Sequence, residues 1–183
     1  GSNAADSSGN DNAGSLQSST WFNPAVTMSS LDINSGGIYD ATSGNLTLSG
    51  DLDTDGTFTH NNGTVIATSG TVNYNGDGAI NFYDFIVDGA ILFRNANATI
   101  ENALTVNSGN TLQLRYTIPI LGTESETGSL DNQGTISAAT AGTQIGFYGA
   151  SADYPAVITG KDFNWNNWIG RWSFKWVDYQ NDT

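Results

Sequence analysis

Asp55-Gly56-Thr57-Phe58, Asn62-Gly63-Thr64-Val65 and Ser69-Gly70-Thr71-Val72 follow one another in close succession, each a polar residue, a glycine, a threonine and an apolar residue. Asn, Asp or Ser before Gly is a turn signal, because Gly has no Cβ to oppose a positive φ. Thr followed by an apolar residue suits a pleated strand, whose side chains point alternately to opposite faces. The stretch therefore reads as turn and short strand, repeated.

Outside it the same grammar continues. Ser43-Gly44-Asn45-Leu46-Thr47-Leu48 is echoed by Ser108-Gly109-Asn110-Thr111-Leu112-Gln113-Leu114, and Val72-Asn73-Tyr74 and Leu104-Thr105-Val106 alternate in the same way. Short strands with closely spaced turns belong to sandwiches, barrels or solenoids. Internal self-similarity marks stacked units. Polar strand positions carry Thr and Asn in place of Lys and Glu. Such residues can stack on equivalent ones and hydrogen-bond, where like charges would repel. The apolar residues come singly or in twos and threes, which fits a slim interior. The expected class is all-β, a single-stranded parallel β-helix (β-solenoid) capped at its ends; an antiparallel β-sandwich or jelly roll is the alternative.

Composition narrows the function. The chain has 183 residues, 18 acidic and 5 basic side chains, a formal net charge of −13, one His and no Cys. Without Cys there is no disulfide scaffold, thiol nucleophile or Cys-bearing metal site. So acidic a surface does not neutralise a phosphate backbone, which argues against nucleic acid and against anionic membrane surfaces. No apolar run approaches the ~18 residues of a membrane span, so no membrane insertion is expected in this segment.

Gly56-Thr57-Phe58-Thr59-His60-Asn61-Asn62-Gly63-Thr64-Val65 followed by Ile80-Asn81-Phe82-Tyr83-Asp84-Phe85-Ile86-Val87-Asp88-Gly89, with the later Leu104-Thr105-Val106-Asn107-Ser108-Gly109-Asn110-Thr111-Leu112, resembles the repeats of large secreted bacterial and archaeal β-solenoid surface or adhesin-like proteins. The resemblance covers about Leu46 to Leu114, with a fainter echo in Trp172 to Tyr179. It implies a right-handed parallel β-helix, display outside the cell or on its surface, and an adhesive or structural role. Its motifs report architecture and no chemistry.

Asp51-Leu52-Asp53-Thr54-Asp55-Gly56 is the sharpest local signal. Carboxylates at alternate positions before a Gly open a calcium loop. Asp51, Asp53 and Asp55 are therefore the candidate metal ligands, and calcium the one candidate cofactor. The bidentate Glu that would close the loop is missing, and plain turn chemistry explains the same residues. If extended, Asp51 and Asp53 stand ~7 Å apart on one face, a separation glycosidase carboxylates use, whereas Asp84 and Asp88, at ~13 Å, are too far apart. The cations that an enzyme acting on acidic polysaccharide needs are scarce, and Lys161, Arg171 and Lys175 fall in the last segment. The expectation is no enzyme. The lone His60, in Thr59-His60-Asn61-Asn62, reads as a turn or ladder residue.

Trp168, Trp172 and Trp176 sit in an aromatic-rich final segment with Phe163, Trp165, Phe174 and Tyr179. Rings of this size prefer burial as core or cap; exposed, the three Trp form a carbohydrate-binding row. Residues 1–19 read as a tag remnant, Gly1-Ser2-Asn3-Ala4, and a flexible linker, and residues 20–183 as one β-solenoid domain cut from a longer protein. Trp21-Phe22 and the aromatic segment are the candidate caps. Pro119 to Gly128 reads as a loop leaving the stack. The expected function is a non-catalytic, structural or adhesive module of a secreted or cell-surface protein, with a glycan or cell-surface protein as partner. The alternative is a carbohydrate-binding or carbohydrate-processing β-helix, pectate-lyase-like or from a phage fibre or spike.

Overall fold

The structure, a computed structural model, describes residues 25–74, 80–95, 97–117, 119–123, 128–138, 145–148, 157–160 and 174–177; for 147–148, 157–160 and 174–177 it describes the backbone alone. In chain order the strands are β1 (Val26–Met28), β2 (Leu31–Ile33) and β3 (Ile38–Asp40) in a first winding, then β4 (Asn45–Leu48), β5 (Leu52–Thr54) and β6 (Thr57–Thr59) in a second. Three long strands, β7 (Thr64–Tyr74), β8 (Ile80–Arg94) and β9 (Ala98–Val106), turn corners and serve more than one side. Shorter ones follow: β10 (Thr111–Arg115), β11 (Ile120–Leu121), β12 (Ser129–Asn132), β13 (Thr135–Ala138), β14 (Ile145–Tyr148), β15 (Val157–Gly160) and β16 (Phe174–Val177).

These strands stack into three ladders, one per side of each winding. On the first side Val26, Leu46, Val65, Phe85, Leu104, Leu130 and Ile158 are successive partners. On the second, Leu31, Leu52, Val72, Phe93, Leu114 and Ala138 follow one another. The third pairs Tyr39 with Phe58, then Phe82, Ile100, Leu121, Phe147 and Trp176 in turn. The Phe58 and Phe82 rings, 5.5 Å apart, bridge its two parts. Cross-winding hydrogen bonds join residues 20 apart, the length of one early turn. Among the described residues every strand pairing is parallel and no helix occurs. The chain is thus an all-β solenoid, and the antiparallel sandwich and jelly roll are excluded.

Alternation explains the interior. Along β4, β5 and β7, Leu46, Leu48, Leu52, Val65, Ala67 and Val72 point inward, with Thr47, Asp53 and Asn73 outward. One layer holds Phe82, Phe85 and Phe93, all without exposed surface, with centroids 4.8 and 5.0 Å apart in edge-to-face contact. Each such burial contributes roughly 1.5–3 kcal/mol, and edge-to-face rings add about 0.5–1.5 kcal/mol more.

Pro119 to Gly128 does not leave the stack as a whole. Ile120 and Leu121 form β11, paired to β9 and β14, and the Pro119 carbonyl accepts from Gly146 N–H at 2.9 Å. Proline lacks the N–H that a ladder needs, but it fits ahead of a strand's first pair. Trp21-Phe22, the expected cap, lies outside the described residues. At the first winding Val26, Met28, Leu31 and Tyr39 are partly buried, and Ile38 is 70% exposed.

Candidate functional site

The outward face of the second side carries one column of partners that changes sign along the solenoid: Asp32, Asp53, Asn73, Arg94 and Arg115. Each is held outward because a neighbour is locked inside, Leu52 before Asp53, Val72 before Asn73, Phe93 before Arg94 and Leu114 before Arg115. Backbone pairing therefore sets their positions more firmly than the side chains do.

A shallow polar groove of about 160 Å³ runs along this column, lined by Asp51, Asp53, Thr71, Asn73 and Arg94. Thr71 N–H donates to Asp51 Oδ1 at 2.7 Å, and Asn73 Nδ2 donates to Asp53 Oδ1 at 3.1 Å. Asn73 Oδ1 is buried and has no hydrogen-bond partner among the described residues. Arg94 is exposed at the groove's end.

Asp51 and Asp53 are thus brought together as the sequence suggests, while Asp55 is not. Its side chain is exposed, and its backbone N–H donates to Ile33 O at 2.8 Å in the corner before β6. Among the described residues no group of three or more His, Asp or Glu side chains is placed to hold a metal ion. Of the Trp row, Trp168 and Trp172 lie outside the described residues; Trp176 pairs its backbone with Phe147 in β16, and its side chain lies outside them too.

Elsewhere on the outer surface two further carboxylates are tied into the ladders. Asp84 accepts from Asn102 Nδ2 at 2.7 Å and from Thr64 Oγ1 at 3.4 Å, and Asp88 Oδ1 accepts from Asn107 and Asn110 Nδ2 at 3.0 and 3.2 Å. An amide against a carboxylate gives the ladder a donor where a second carboxylate would repel. His60 sits at a corner, as expected of a turn residue. Its Nδ1 accepts from Asn62 N–H at 3.0 Å, its Nε2 lies 3.3 Å from Glu101 Oε1, and its ring stacks on Tyr83 at 5.9 Å. Both Asn61 and Asn62 have positive φ, 47° and 59°, which Asn tolerates better than most residues.

Comparison with protein-family models, curated proteins and solved structures returned no match. The site therefore has to be read from its own chemistry. Acceptors crowd one end of the column and guanidiniums the other, an arrangement suited to polar ligands with hydroxyl and anionic groups. The pairing of Arg94 with Arg115 escaped sequence reading. The signal was present as a separation of one winding, but it becomes visible only once the winding length is known.

Proposed function

We propose that this chain is a non-catalytic, structural or adhesive β-solenoid module of a larger secreted or cell-surface protein. One observation carries the reading: four outward carboxylates are engaged as ladder acceptors, Asp51 by Thr71, Asp53 by Asn73, Asp84 by Asn102 and Asp88 by Asn107. A carboxylate tied into such pairs serves stacking better than proton transfer, which needs a base aimed at a substrate. Parallel stacking also yields a stiff surface that repeats its side chains every ~4.8 Å, a geometry suited to contact with a long polymer or a cell surface. A net charge of −13 keeps such a rod soluble. No helix among the described residues is long and apolar enough to cross a membrane.

A second reading, carbohydrate binding, is favoured by the open polar groove lined by Asp51, Asp53, Thr71, Asn73 and Arg94. Incubation of the chain with neutral and acidic polysaccharides tests both. The expected outcome is capture on a glycan or surface-protein array with no release of reducing ends or unsaturated uronates. Turnover that Asp51→Asn abolishes would replace the adhesive reading with a catalytic one.

A further inference from the structure

The Arg94–Arg115 step breaks the pattern of the outer surface. The two are Cα partners on β8 and β10, one strand spacing of ~4.8 Å apart, and both are exposed. Like charges directly opposite in a sheet destabilise it. Among the described residues neither guanidinium is paired with a carboxylate. In a chain with 18 acidic and 5 basic side chains, two cations stacked without an acid between them are a cost to the free protein.

Beside them a second cost appears. Tyr116 has φ +53° and a side chain 62% exposed, and the Arg115 guanidinium lies 5.4 Å from its ring centroid. Asn95 holds the same φ, +53°, and its N–H donates to Arg115 O at 3.2 Å. Asn tolerates this conformation; for a bulky Tyr it is a strained outlier. Two guanidiniums and an apolar ring face, held outward at a cost, form a ready receptor for an anion attached to a flat C–H surface.

We propose that Arg94, Arg115 and Tyr116 form a binding subsite for an acidic saccharide, a sugar bearing a carboxylate or sulfate. The guanidiniums take the anionic group through paired N–H donors, and the Tyr116 ring lies against sugar C–H groups. Further along the column the exposed Asp53 carboxylate accepts from sugar hydroxyls. From Arg115 to Asp53 is three strand spacings, about 14 Å, which fits an oligosaccharide better than one ring. The negative charge of the whole chain does not forbid this, since charges beyond about 8 Å are largely screened at physiological salt. The proposal rests on the adhesive reading and gives it a ligand class.

The test is biolayer interferometry on the intact chain with three probes: oligogalacturonate for carboxylate, a chondroitin sulfate oligosaccharide for sulfate, and a neutral dextran oligosaccharide. At least one acidic probe binds and dextran does not, and whichever binds identifies the anionic group. Arg94→Gln and Arg115→Gln each weaken binding at least tenfold. Tyr116→Gly weakens it severalfold while leaving the melting temperature unchanged or higher, an outcome a structural role would not give. Acidic binding that survives the double Arg variant overturns the subsite. Capture of dextran alone overturns the subsite and leaves the adhesive reading standing; capture of none of the three overturns the subsite, and a blank glycan and surface-protein array besides would defeat the adhesive reading too.

Discussion

The Cα of Gly89 lies directly against the backbone carbonyl of Thr68 on the preceding winding, where any Cβ would overlap that oxygen. The contact sits at a register shift: Ala67 pairs with Val87 but Ser69 with Ala90, so two residues of β8 oppose the single Thr68. A bulge of this kind bends the strand, here at the corner between the first and second sides. Gly89→Ala is expected to destabilise by about 2–3 kcal/mol, because the clashing atom belongs to the backbone and cannot swing away. At Gly109 a Cβ meets nothing within 4 Å and only the positive φ of 83° opposes it, so Gly109→Ala should cost about 1 kcal/mol. Thermal melts of the two variants check the order; equal costs would refute the close approach.

Position along the solenoid should decide what a core truncation costs. Phe85 is fully buried between the Phe82 and Phe93 rings, while Val26, its equivalent in the first winding, is only partly buried. Phe85→Ala is expected to lose about 3–5 kcal/mol. Val26→Ala should lose under about 1 kcal/mol, having less apolar area to expose. Urea midpoints at constant slope measure the difference. A lowered slope for Phe85→Ala would mean that the windings no longer unfold together.

Asp84 ties three windings together through Thr64 and Asn102. Asp84→Ala strands the Asn102 amide and should cost about 1–2 kcal/mol, a fall in melting temperature of about 2–8 °C for a chain of this size. Asp84→Asn keeps an acceptor for Asn102 and should recover at least half of that loss. A melting curve for Asp84→Ala that matches the parent would show the bridge to be idle.

Calcium is expected to leave the melting temperature unchanged. Asp51 and Asp53 already accept N–H groups from Thr71 and Asn73, and Asp55 does not line their groove. An ion present at a hundred times its Kd would stabilise by about 2.7 kcal/mol, easily seen when chelator and millimolar calcium are compared. A rise with calcium that Asp51→Asn removes would restore the metal reading of Asp51, Asp53 and Asp55.

The glycine-threonine phrases show what was legible in the chain and what was not. Each does mark a turn entering a strand, as local sterics require. Yet Thr57 begins a strand of the third side, Thr64 one of the first, and Thr71 lies on the second. The echo runs around one winding and does not step from one winding to the next. The longer echo behaves likewise, since Asn45-Leu46 enters the first side and Thr111-Leu112 the second. The turn role of His60 was readable from its Asn neighbours, whereas its contact with Glu101, two windings on, was not.

Composition and period-two alternation by themselves determined that this chain is built of short strands with one dry face, and placed the turns between them. Those features depend on φ/ψ sterics and on which side of a strand each Cβ points, and both are local. Only the tertiary structure decided which residues meet across windings: that Arg94 faces Arg115, that Asn73 separates them from Asp53, and that Gly89 abuts Thr68. The physical reason is register. A partner one turn away is set by the full path of the winding, and a single bulge or an unequal corner shifts every pairing that follows.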